Sequence, residues 1–157
     1  MTNMSRETEF RGKTKGTGQW VYGSLVQVSS AGSLAVAMLD DKGHLKLHEI
    51  IKGTEGQYTG LNDRDGQHMY PGDITELEVD GIKRHFVVKA GTVVRDLKSH
   101  PNFIDDSAKV SITGIYFEWQ EYQLFPCIDS NGIPDNEKML VIGNVNDNPE
   151  LLEVANR

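Results

Sequence analysis

The segment that most constrains this chain is Asp73-Ile-Thr-Glu-Leu-Glu-Val79, then Asp80-Gly81, then Ile82-Lys-Arg-His-Phe-Val-Val88. Asp-Gly between two β-rich runs supplies the positive φ angles that a two-residue type I′ turn demands. That turn predicts one register: Val79 opposite Ile82, Glu78 opposite Lys83, Leu77 opposite Arg84 and Glu76 opposite His85. One side then gathers Thr75, Leu77, Val79, Ile82, Arg84 and Phe86, and the other carries polar and opposite-charge pairs. Such pairs are worth about 0.2–1 kcal/mol each. The same punctuation recurs along the chain, which has 16 Gly among 157 residues. A chain built this way folds as antiparallel hairpins.

Further strands are predicted from the runs between turns. Leu34–Met38 and Leu45–Ile50 form a second hairpin around Asp40-Asp-Lys-Gly43. Gln19–Tyr22 and Ser24–Val28 form a third, broken at Gly23. Lys109–Thr113, Ile115–Trp119 and Met139–Ile142 read as strands. Thr92–Ser99 reads as one or two helical turns or as a strand. Asn148-Pro149-Glu150 signals a short C-terminal helix, with Asn at the N-cap and Pro at N1. Residues 1–15 are polar and expected to be loosely held, and Ser99–Ala108 reads as a surface excursion. Gly53-Thr-Glu-Gly56 marks a seam, dividing an N-terminal β unit (1–56) from the remainder (57–157). The fold class is mainly β.

Charge and composition narrow the function. Sixteen Lys and Arg against 23 Asp and Glu give a net charge of −7, which opposes a protein that tracks along phosphate backbones. The longest apolar stretch, Leu34–Leu39, is far too short for a membrane span. No apolar targeting run follows Met1, and a lone Cys127 suits a reducing compartment, so a cytoplasmic location is expected.

Candidate chemistry is sparse. Gly12-Lys13-Thr14 lacks the earlier glycine of a phosphate loop, because Glu7 stands there, and the segment reads as exposed and basic. His44 and His48 alternate with Leu45 and Leu47. On a strand they lie ~13 Å apart and cannot share a zinc ion. Asn62–Gly66 and Asp129–Gly132 resemble the start of calcium loops but lack the closing carboxylate, and read as tight turns. Asp73 is expected to stabilise its own turn. Cys127 has no activating neighbour and is expected to be buried and inert. No catalytic residue, metal or cofactor is expected. Tyr116, Trp119, Tyr122 and Phe125 form the densest aromatic group and are the candidate binding surface; the other aromatics suit a small core.

Three segments together resemble one family. They are Phe10–Lys13 with Gly18–Leu25, then Gly56–Leu61 running through Asp65-Gly66 to Tyr70-Pro-Gly-Asp-Ile74, and finally Val141–Val145 with Asn148–Leu152. Their order and spacing are similar to the YopX family of phage and prophage proteins. Pro71 stands where that family often has an acidic residue, and residues 89–133 match none of its motifs. The resemblance implies a mainly β fold with an SH3-like small barrel in the C-terminal part, to which the residues add the short C-terminal helix. It implies no catalytic residues. The function expected is a non-enzymatic, protein-binding accessory module of the bacterial host cytosol, with self-association as a further property. The alternative is a nucleic-acid-binding module, which requires Lys83, Arg84, Lys89 and Arg95 to gather on one face.

Overall fold

The Asp80-Gly81 hairpin forms in the expected register, from Val79 opposite Ile82 through Thr75 opposite Phe86. Asp80 and Gly81 take φ values of 53° and 77°, as the type I′ turn requires. The computed structural model describes residues 7–97 and 108–155, so Ser99 and nearly all of the Ser99–Ala108 excursion lie outside the described residues. Ten strands follow in chain order: β1 (Phe10–Lys13), β2 (Trp20–Gln27), β3 (Leu34–Leu39), β4 (Leu45–Glu49), β5 (Gly56–Gln57), β6 (Asp73–Val79), β7 (Ile82–Leu97), β8 (Ala108–Trp119), β9 (Tyr122–Leu124) and β10 (Leu140–Asn144). A single 3-10 turn, Asp135–Lys138, precedes β10, and the helix α1 (Glu150–Ala155) ends the described chain. The mainly β class holds. No helix among the described residues is long and apolar enough to cross a membrane.

The strands form two antiparallel sheets, in the orders β4-β3-β2-β1-β5 and β10-β6-β7-β8-β9. The first sheet curls until its first and fourth strands meet. Lys15 N–H donates to the Glu49 carbonyl and Ile51 N–H to the Lys13 carbonyl. Two glycines permit that curvature. A Cβ on Gly12 would lie 2.5 Å from Ile50 Cδ1, and one on Gly23 would strike the Ala37 carbonyl. Gly23 therefore lets another strand approach, and β2 runs through it unbroken; the expected turn between Tyr22 and Ser24 does not form. Gly114 likewise lies inside β8, opposite Gly91 of β7, and Thr92–Leu97 continues β7 with no helical turn.

The second sheet holds the larger core. Phe86, Val88 and Phe117 lie on one face, covered by Met69 and Met139 from the flanking loops, with Leu77, Trp119 and Val141 packed around them. One repeated device ties down three loops of the two sheets. At Asp40, Asp63 and Asp129, Oδ1 accepts the N–H groups two and four residues on. In each case a glycine three residues on has φ near 80°. Both segments that resemble calcium loops are thus tight turns whose carboxylates are occupied by their own backbone. Asp63 also accepts from Val141 N–H through Oδ2, which pins its loop to β10. Lys138 and the turn N–H groups hold the Asp129 carboxyl down to about 2.

Helix α1 docks against β7 through His85. One ring nitrogen of His85 faces the Leu151 carbonyl at 2.8 Å and the other faces Glu76 at 2.9 Å. His85, with Lys83 nearby, holds the Glu76 carboxyl below its usual value. Lys83 reaches diagonally to Glu76 although Glu78 stands opposite it. The helix starts at Glu150, and Asn148 does not cap it with its side chain: Oδ1 accepts from Asn144 N–H at the end of β10. Gly12→Ala is expected to lower stability by about 1–3 kcal/mol through overpacking against Ile50. Urea titration checks this, with Gly16→Ala, whose Cβ would meet nothing within 4 Å, as the neutral control.

Candidate functional site

Of residues 1–15, expected to be loosely held, residues 1–6 lie outside the described residues, and the rest instead supplies the centre of the junction between the sheets. Alternation along β1 turns Arg11 toward the second sheet, where Asp73 opens β6. The two form an ion pair at 2.7 Å, and the residues are 6 % and 2 % exposed. Asp73 receives a second donor from Tyr70 N–H at 2.8 Å. Burial pushes the Asp73 carboxyl up, against the pull of Arg11 and that N–H. The Arg11 guanidinium lies 4.5 Å from the Trp20 ring centre and 4.7 Å from that of Tyr70. Two rings thus supply the cation–π contact that a desolvated arginine favours.

The last matched segment closes the junction from the other end. Asp147 accepts from Trp20 Nε1 at 2.7 Å and from Lys13 Nζ. With Asn144 Nδ2 these donors hold its carboxyl down to about 2. Lys13 is spent on Asp147 and Lys15 on Glu49, while Gly12 and Thr14 are buried. The Gly-Lys-Thr segment is therefore strand and junction, and not the exposed basic segment expected.

Beside Arg11 lies a cavity of about 290 Å³, lined by Glu9, Arg11, Tyr22, Gln67, His68 and Tyr70. Tyr70 and Tyr22 lie 5.7 Å apart, and Tyr58 stacks flat on His68 at 3.9 Å and 3°. The Tyr70 hydroxyl donates to Glu9; burial, and then that carboxylate, push its pKa up. His68 Nδ1 lies 3.5 Å from Glu9 and Nε2 lies 3.8 Å from Glu7. The cavity combines carboxylates, an imidazole and aromatic walls, which suits a cationic or planar group. Sequence reading singled out neither His68 nor Glu9, because nothing in the local spacing links residues 7–9 to residue 68.

The residues singled out beforehand fall elsewhere. Trp119 and Tyr122 stack at 5.9 Å on the core face of the second sheet, with Arg84 over Trp119. Tyr116 and Phe125 meet at 6.0 Å on its other face. The four make two pairs, not one continuous surface, and Tyr122 is the most exposed of them. Lys83 and Lys89 engage Glu76 and Glu118, and Arg95 donates to the Gln123 carbonyl. The four cations of the nucleic-acid reading are thus held by neighbours. Cys127 is exposed, contrary to the burial expected. It sits in a loop, where its N–H donates to Asp135 and its Sγ faces the Phe125 carbonyl.

Residues 9–153 match the YopX protein family. A comparison with curated protein sequences returned no match. A crystal structure of protein EF1440 from Enterococcus faecalis is similar at 18 % identity and a TM-score of 0.46, covering 94 % of this chain and 99 % of that one.

Two predictions come from the junction. Arg11→Met or Asp73→Leu alone is expected to cost about 3–5 kcal/mol, because each strands a buried charge, whereas the double variant recovers most of the loss. Chemical denaturation of the three variants checks this. Asp147 has a folded pKa below its ordinary 3.8, so its stabilising effect is complete above that value and disappears as pH falls through about 2. The difference in unfolding midpoint between the parent chain and Asp147→Asn is therefore expected to shrink steadily on acidification.

Proposed function

Because this chain belongs to the YopX protein family, we propose that it is a non-enzymatic accessory protein of phages and prophages that works in the host cytosol by binding another protein. One observation carries the protein-binding reading. On the β3–β4 hairpin, Leu39 stands opposite Leu45 and Ala37 opposite Leu47. Those three leucines are 64 %, 66 % and 55 % exposed. Apolar side chains grouped on an exposed edge hairpin mark a contact surface. The acidic balance and the engagement of Lys83, Lys89 and Arg95 by neighbouring groups favour a protein over a nucleic acid as the occupant.

The reading also fits the chemistry of the junction. Arg11 pairs with Asp73 and Lys13 with Asp147, an arrangement that serves to hold two sheets together. Leu45→Ser with Leu47→Ser is expected to leave the unfolding midpoint within about 0.5 kcal/mol of the parent, since exposed positions contribute little to stability. The same change is expected to abolish capture of the partner from host or phage-infected lysate. Affinity capture with both chains side by side checks it. Equal capture by the two chains, or no reproducible partner for either, would overturn the assignment.

A further inference from the structure

We propose that Glu7, Glu9 and His68 form a binding site for a divalent transition-metal ion of the zinc type, at the mouth of the cavity beside the sheet junction. One ligand atom from each of the three residues can be chosen so that all lie within 4.8 Å of one another. His68 Nδ1 and Glu9 Oε1 are 3.5 Å apart. Two ligands of a tetrahedral zinc ion with bonds of 2.0–2.1 Å stand about 3.3 Å apart. Glu7 Oε2 stands 3.8 Å from the other ring nitrogen, Nε2, and its side chain is 64 % exposed, so zinc binding at Nδ1 requires Glu7 to swing to that edge of the ring. An imidazole with two carboxylates matches a borderline ion, and is short of the oxygen ligands that calcium or magnesium takes.

Groups outside the triad hold two of the three ligands in place. Tyr58 lies flat against the His68 ring, and the Tyr70 hydroxyl fixes the Glu9 carboxylate. Outer partners of this kind orient metal ligands and raise affinity. Arg11 lines the same cavity and is 6 % exposed, yet its Nε–H has no acceptor among the described residues. A water or other acceptor bound in the cavity would satisfy that buried donor. Charge also balances: Asp73 neutralises Arg11, and a divalent ion neutralises the two glutamates. Three protein ligands leave at least one coordination position open toward the cavity, so the site would accept a donor atom from a bound partner.

The test is calorimetric titration of zinc chloride into the full chain at about pH 7.5, where an imidazole is neutral. One equivalent is expected to bind. Binding is expected to disappear in His68→Ala and Glu9→Gln, to weaken about tenfold in Tyr58→Leu, and to persist in His48→Ala. Should a ligand variant fail to fold, the His68 ring resonances of the parent chain serve instead, and are expected to shift on zinc addition ahead of those of the other histidines. The site is refuted by absence of binding to the parent chain, by undiminished binding in His68→Ala or Glu9→Gln, or by His68 resonances that respond to pH but not to zinc.

Discussion

The buried Arg11–Asp73 pair is the constraint around which the two sheets are arranged. Taking both charges out of water costs several kcal/mol, which their attraction recovers only in good geometry. The geometry here is supplied by distant parts of the chain. Asp73 opens β6 where Tyr70 N–H can reach it, and Arg11 sits in β1 with Trp20 beside it on β2. A slip of β1 by one residue would turn Arg11 to the opposite face and put Gly12 in its place. The pair thus selects one docking of the sheets, whatever its net contribution to stability. Gly12 is confined in turn, since the curl that brings Arg11 to the junction presses Gly12 onto Ile50.

How much of this was legible depended on the range of the cause. The Asp80-Gly81 hairpin was readable to the residue because turn chemistry and strand pairing are local and agree. Asp63 and Asp129 were readable as turns for the same reason, since their carboxylates serve N–H groups two and four residues away. Gly23 and Gly114 were misread as breaks. A glycine that admits a neighbouring strand looks the same in sequence as one that makes a turn, and the neighbour of Gly23 is Ala37. The burial of Arg11 is not legible locally because its partner and both flanking rings lie far along the chain or on another strand. His68 was passed over for the same reason. The aromatic group from Tyr116 to Phe125 was readable as a cluster but not as two faces, because strand alternation and the β8–β9 turn divide it.

The three segments that carry the family resemblance meet at this junction. The first supplies Arg11, Lys13, Trp20 and Tyr22; the second supplies Tyr58, Tyr70 and Asp73; the third frames Asp147. What these segments share is the task of docking one sheet on the other, so matching them reports an architecture. The β3–β4 hairpin with Leu39, Leu45 and Leu47 lies between the first and second segments, and the Tyr116–Phe125 cluster lies between the second and third. Neither helps to close the junction, and substitution of the three exposed leucines changes the outer surface and leaves the docking of the sheets intact. A chain divided in this way can keep its fold while its outer surface varies. That division accounts for a sequence whose family is readable from segments that report architecture alone.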